Sequence, residues 1–304
     1  MRKLTLLMLL LTLFVGVKAQ NYEAEFAKHF ESKDTLNMRV ILQKWEKAKP
    51  QDSELFTSYL DYYFVVAHDE VFTFYTGKDE GESIKMVNGT PKVAGYLGSH
   101  LTIHKPILSR GISKIDEGIR LYPDRLDMRL GEIFVLGQAK EWDAFTGKII
   151  ETINQSAKNK NKWTWTHNTK KYDGEEVFFS SLQDYQIQLH DTQEYELFKY
   201  MKEIAEEVLK FYPNNVESLS NLSIVYMTND EVDKAIEVLL RAETINKKDF
   251  IILSSLGYAY KYKGDKAKAI EYYQKTIRYG DAEASENAKE QIKELKKTVP
   301  KPKP

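Results

Sequence analysis

His100 and His104 are four residues apart, a spacing that on a helix would put two imidazoles on one face and could hold zinc. Gly98 before them and Pro106 after them argue against a continuous helix, and no His-Glu-x-x-His frame supplies a base, so no metal site is expected. The adjacent carboxylates Glu175-Glu176 and Glu206-Glu207 are the nearest approach to a glycosidase couple. Neighbours on a helix point about 100 degrees apart, so such pairs do not converge on one bond and read as solvated faces. The chain has no Gly-x-Ser-x-Gly, no Ser-x-x-Lys and no phosphate-cradling glycine loop. With no cysteine at all, thiolate metal sites, a cysteine nucleophile and a disulfide framework are excluded. The expectation is a non-enzymatic protein without a cofactor.

Trp163 and Trp165 are the other conspicuous pair, set in a polar, basic stretch from Asn154 to Glu176. One reading makes them an aromatic platform that stacks on a glycan or anchors a partner, helped by His167, Lys170 and Lys171. The other folds both rings back over the junction between a helix ending near Ile153 and one starting near Val177. The second is favoured, because long loops commonly pack down through their own aromatic residues.

What must position any site is a repeat. "LSNLSIVY" from Leu219 to Tyr226 recurs as "LSSLGYAY" from Leu253 to Tyr260, and at the same spacing Leu222 matches Leu256, Ser223 matches Gly257, Ala235 matches Ala269 and Leu239 matches Tyr273. Leu253, Leu256 and Tyr260 form a helical stripe, "KGD" from Lys263 breaks it, and a second stripe follows through Ala269, Ile270 and Tyr273. Each copy is therefore two helices joined by a short turn.

These residues resemble the tetratricopeptide repeat, of about 34 residues. Leu256-Gly257, Tyr260, Ala269 and Tyr273 fit its pattern, whereas Thr276 and Asp281 replace its later Ala and its Pro. The earlier copy keeps Leu222, Tyr226, Ala235 and Ala242 but has Ser223 for Gly and Lys247 for Pro. Pro50, Pro123 and Pro213 each close a helical stretch and precede another, which extends degenerate hairpins along the chain. The resemblance implies an all-α, TPR-like α-solenoid of stacked helical hairpins, right-handed, with a concave groove lined by the first helix of each pair. In that register the groove shows Glu217, Ser220, Asn221, Ile224 and Thr228, then Ile251, Ser254, Ser255, Tyr258 and Tyr262. Asn221 stands where grooves that clamp a peptide carboxylate place an Asn, but the accompanying cations are absent. A mixed Ser, Asn and Tyr surface suits adaptable hydrogen bonding and stacking instead.

Between His68 and Pro106 the helical period disappears, and "VFTFYT", "SIKMV" and "KVAGY" look extended, with Asn88-Gly89 as a turn signal. The expected organisation is a signal peptide over residues 1–19, N-terminal hairpins over 20–67, a strand-containing insertion over 68–105, degenerate repeat-like helices over 106–215 and two repeats over 216–283. A capping helix over 284–297 and a disordered tail over 298–304 complete it. The leader has Arg2 and Lys3 ahead of an apolar run from Leu4 to Val17, too short to span a bilayer, and a small-residue end at Ala19. The protein is therefore expected to be exported, in a periplasm or at the outer surface, without stable membrane insertion. Asp34-Thr35-Leu36 resembles the acceptor site of exported Bacteroidetes glycoproteins, and the repeats resemble exported TPR proteins of that group; the simpler role of Asp34 or Thr35 is to cap the helix running to Lys47. With 44 Lys and Arg against 45 Asp and Glu, the chain lacks the basic excess of a nucleic-acid binder. The expected partner is a protein or peptide, with a glycan on the Trp163–Trp165 loop as the alternative.

Overall fold

The computed structural model describes residues 21–76, 83–87 and 93–297. The leader, the Asn88-Gly89 turn and the tail lie outside them. The described residues contain thirteen α-helices: α1 (Tyr22–Glu31), α2 (Thr35–Ala48), α3 (Ser53–Ala67), α4 (Lys105–Leu121), α5 (Leu126–Gln138), α6 (Trp142–Asn159), α7 (Gly174–Asp191), α8 (Phe198–Phe211), α9 (Val216–Thr228), α10 (Val232–Ile245), α11 (Phe250–Lys263), α12 (Lys266–Tyr279) and α13 (Ala282–Lys297). Five strands join them: β1 (His68–Tyr75), β2 (Ser83–Val87), β3 (Val93–Ile103), β4 (Thr164–Trp165) and β5 (Thr169–Lys170).

Local chemistry starts these helices where the hairpins need them. Asp34, Asp52, Asn215, Asp249 and Asp265 are N-caps whose side chains accept from first-turn amides of α2, α3, α9, α11 and α12. Each satisfies an amide that has no partner within its helix. Asp34 is thus the cap of the second helix, as its sequence context suggests. Gly264, at φ 85, ends α11 in the left-handed region that an L side chain rarely adopts.

Successive helices pack as antiparallel pairs, and the pairs stack through continuous apolar clusters. Leu219, Leu239, Leu253, Leu256, Tyr260, Ala269, Tyr273 and Ile292 share one core, which joins α9 through α13. The repeat equivalences become packing equivalences in it. A Cβ on Gly257 would lie 2.8 Å from the Tyr273 ring, so the larger aromatic requires glycine opposite. The preceding copy has the smaller Leu239 and accommodates Ser223.

The insertion opens a hairpin. α3 packs against α4 although 37 residues separate Ala67 from Lys105 in number, because His104 N donates to Ala67 O at 2.7 Å and closes the base of the strands. The sheet order is β1-β3-β2, antiparallel throughout, and Phe74, Leu97 and Ile84 form one cross-strand row. β1 and β3 run longer than "VFTFYT" and "KVAGY" suggest, because each pairs the other from His68↔Ile103 to Tyr75↔Tyr96. His100 lies on β3 and His104 is the residue before α4, so no helix carries the pair.

Around Trp163 two expectations are corrected. α6 continues to Asn159 rather than stopping near Ile153, since Thr152, Ile153 and Ser156 still face the core, and α7 starts at Gly174. Between them β4 and β5 make a two-stranded hairpin around a short 3-10 turn over Thr166–Asn168. The stretch folds back on the body of the protein: Thr164 N donates to Asp124 O at 2.8 Å and His167 N to the Glu54 carboxylate at 2.8 Å.

Candidate functional site

α9, α11 and α13 run in the same direction. Lys261 in the last turn of α11 donates to Gln291 at 2.6 Å and to Glu294 at 2.9 Å, whereas Phe250 and Ile251 at its start share a recess with Asp281 and Glu283. The three helices form the sides of a cavity of about 740 Å³. Ile224 and Thr228 of α9 and Ser254, Ser255, Tyr258 and Tyr262 of α11 line it, with Leu239 and Tyr273 at its floor. Tyr258 and Tyr262 remain 54% and 56% exposed, so their faces are available to a guest.

The other residues read from the register lie elsewhere. Asn221 is only 5% exposed and donates through Nδ2 to Gln183 Oε1 of α7 at 3.0 Å. This corrects its expected place on the open wall: α7 closes over it, and its amide is spent on joining two hairpins. Glu217 is exposed beside the narrow crevice above Asn221, Ser220 is half-buried with its carbonyl accepting from Ser223 Oγ, and Ile251 faces the separate recess with Asp281. Conversely Tyr195, Met227, Asn287 and Gln291 line the cavity and were not foreseen. α13 supplies two of them by occupying the place of a third first helix; its charged sequence signals a cap, and only its packing on α12 reveals the wall.

Among the described residues lining the cavity, none carries a formal charge. Burial pushes the Tyr273 phenol up to about 12, and Tyr262, which donates to Asp230 at 3.1 Å, is raised by that bond, so both stay neutral at physiological pH. Ser255 Oγ donates to its own helix at Ile251 O, 2.9 Å away. The cavity can stack aromatic faces and exchange neutral hydrogen bonds.

Trp163 is not part of a surface platform. It is 1% exposed, within the cluster that joins α5, α6, α7 and α8, and its ring tilts against Phe178 at 5.8 Å. A Cβ on Gly174 would come within 2.9 Å of Trp163 Cβ, so glycine at the start of α7 admits the indole. Trp165 is half-buried against the same core with the Lys171 ammonium 5.1 Å from its ring centre. The helpers proposed for a platform are engaged too, Lys170 over Tyr172 and Lys171 with Asp173.

Beneath that loop is a buried ion network that sequence reasoning missed. Arg125, with no exposed surface, donates to Glu54 at 2.7 and 3.2 Å and to Asp127 at 2.8 and 2.7 Å. Burial alone would raise the Glu54 carboxyl; the Arg125 guanidinium, the His167 amide and Ser53 outweigh it and hold the carboxyl below its usual range. Glu23, Glu54 and His167 offer ligand atoms within 4.8 Å of one another. Those atoms are already committed: Glu54 Oε1 accepts from Ser53, Arg125 and the His167 amide, and the two ring nitrogens of His167 face different carboxylates. A cation there would also meet Arg125, so the cluster reads as a clasp between α1, α3 and the loop.

Glu132 has the most perturbed carboxyl of α5. Burial raises it to about 8 against the opposing pull of Lys148, which stands 3.1 Å away but is directed at Asp116. A pKa there suits acid–base catalysis, yet at 1% exposure the carboxyl has no substrate face.

Comparison with known protein families finds one repeat in the chain. The tetratricopeptide repeat family model matches residues 252–285, which run from α11 into α13. No curated protein sequence matches the chain. Among solved structures it is similar to YrrB, a TPR protein with an unusual peptide-binding site, at 12% identity over 82% of this chain and 97% of that one, with a TM-score of 0.41. PilW, a type IV pilus biogenesis factor, is similar at 10% identity over 91% and 98%, TM-score 0.37, and PilF of Pseudomonas aeruginosa at 12% over 62% and 80%, TM-score 0.36. The fold is a TPR-like helical solenoid of stacked hairpins with small strand insertions, and such folds serve as scaffolds that bind proteins or peptides. Among the described residues, no helix is long and apolar enough to cross a membrane.

Proposed function

We propose that this protein is an exported, non-enzymatic scaffold that captures a protein partner by an uncharged, extended segment laid between α9, α11 and α13. The observation that carries the reading is the cavity itself: two tyrosine faces more than half exposed, hydroxyl and amide groups beside them, and no charged lining residue. Exposed rings on rigid helices give contact area at small entropic cost, and Ser, Asn and Gln adapt their hydrogen bonds to the guest. The absence of a charged pair or activated nucleophile in that lining supports binding rather than turnover. Export rests on the leader pattern of residues 1–19; an intact mass showing those residues retained in the protein from its host would remove that part.

Replacing both tyrosines, Tyr258→Ala with Tyr262→Ala, is expected to reduce recovery of the partner from an envelope extract at least tenfold, since interface aromatic anchors commonly cost about 2 kcal/mol or more each on truncation. Both side chains project from the solenoid, so the helical circular dichroism should be unchanged. Undiminished capture by the doubly substituted protein would take the cavity out of the account.

A further inference from the structure

α12 carries a pocket on each side. Tyr273 floors the cavity, and at about 100 degrees per residue Lys275, Arg278 and Tyr279 lie on the opposite side of the helix. With Glu243 and Thr244 of α10 and Lys247 just beyond its end, they line a separate pocket of about 410 Å³. Sites for small ligands fall in this size range, roughly 300–1,000 Å³.

Lys247 holds the place in the hairpin where Pro50, Pro123 and Pro213 stand in three earlier ones. The turn is the same in all four: Asp52, Arg125, Asn215 and Asp249 each donate an amide back to the residue before that place, Lys49, Tyr122, Tyr212 and Asn246, at 3.0 to 3.3 Å. Tyr212 before Pro213 (φ -124, ψ 67) and Asn246 before Lys247 (φ -131, ψ 93) have similar backbones, so the fold does not require lysine at 247. What lysine adds is a cation on the pocket.

Three cations, Lys247, Lys275 and Arg278, face one carboxylate there. Glu243 is already engaged, accepting from Lys275 at 3.0 Å and from Tyr272 at 2.9 Å. Among the described residues, the Lys247 ammonium and the Arg278 guanidinium have no ion-pair or hydrogen-bond partner. The ends of α10 and α12 contribute about half a negative charge each, which does not cancel the excess. The Thr244 hydroxyl donates to Arg241 O, 2.6 Å away, and adds no free donor. What is left is a planar guanidinium fork and an ammonium beside the Tyr279 ring, which is 39% exposed. The fork takes two oxygens of an anion side by side, and the ammonium takes a third. A carboxylate has only two. A phosphate monoester has three, with a charge of about −1.5 to −2 at neutral pH.

We propose that this pocket binds a phosphate monoester through Lys247 and Arg278, with the group that carries the phosphate lying against Tyr279. The inference stands apart from the cavity between the first helices. In equilibrium dialysis at low salt, phenyl phosphate should bind the full chain, and Lys247→Pro and Arg278→Ala should each weaken it about tenfold or more, as expected for loss of a charge-assisted hydrogen bond. Lys247→Pro restores the residue of the earlier hairpins, so the helical circular dichroism should be unchanged. Lys247→Arg should keep the binding, and phenyl sulfate, with a single charge, should bind the native chain about tenfold more weakly or worse. Tyr258→Ala with Tyr262→Ala should leave phenyl phosphate binding as it is, which separates this site from the cavity.

Cosedimentation with phosphatidylcholine vesicles that carry phosphatidic acid identifies the source of the phosphate. Retention that Lys247→Pro abolishes places it on a lipid headgroup, and no retention places it on a soluble molecule; both agree with the proposal. No binding of phenyl phosphate, binding of either probe that survives both substitutions, or equal binding of phenyl sulfate would overturn it.

Discussion

Arg125→Ala should cost about 3–5 kcal/mol, the range for removing one partner of a buried ion pair. The loss is large because the guanidinium holds four hydrogen bonds to two carboxylates from a fully covered position, and its removal strands Glu54 at the junction of α3, α5 and the β4–β5 hairpin. The pH dependence changes sign as well. In the native protein the Glu54 carboxyl lies below its usual range, so its contribution is present above the unfolded-state value and is lost as pH falls through the folded one. In Arg125→Ala the unpaired, buried carboxyl is raised instead, and its contribution is lost as pH rises. Urea unfolding at acid and neutral pH separates the cases, and a variant within about 0.5 kcal/mol of the native chain, the usual range for surface substitutions, would show that the network is not closed in solution. Adding Glu54→Gln should recover part of the loss, because it removes the stranded charge.

Trp163→Ala should destabilise the same half of the molecule by about 3–5 kcal/mol, as expected for emptying an aromatic site in a packed core. Trp163 lies within the largest shared cluster, and Gly174 leaves the indole no slack on one side. Its Nε1 is buried without a hydrogen-bond acceptor. Trp163→Phe should therefore be milder than the ring's size suggests, since it also removes a desolvated donor. The chain's four tryptophans, Trp45, Trp142, Trp163 and Trp165, all precede the repeats of α9 to α12, so fluorescence follows the N-terminal half and helical circular dichroism the whole. Both substitutions should shift the fluorescence midpoint more than the dichroism midpoint, as stacked repeats allow parts of a solenoid to unfold separately. A Trp163→Ala protein with native stability and lost sugar binding would restore the exposed-platform reading.

What the sequence disclosed follows from what is local. A cap such as Asp34 bonds within its own first turn, Pro50, Pro123 and Pro213 mark helix ends, and the spacing of Leu222 and Leu256 reports burial inside a hairpin. Those features made the solenoid legible. What covers a hairpin from outside leaves no periodic trace. Asn221 has the right register for an open groove, but its fate depends on Gln183, 38 residues earlier. Glu54 and Arg125 are 71 residues apart and neither has a neighbour that announces the pair. The strand insertion was visible as lost helical period, whereas its position inside the α3–α4 hairpin depends on contacts that only folding creates. α13 reads as a cap by charge and acts as a wall by position.

Occupation of the cavity is most directly measured by photocrosslinking. With benzoylphenylalanine at position 258, the partner from the native envelope should become covalently attached, and an excess of unlabelled partner segment should suppress the adduct; the same group at position 36, on the exposed side of α2 where Leu36 is 78% exposed, should yield none. Equal adducts at both positions, or an adduct at position 36 alone, would contradict the account.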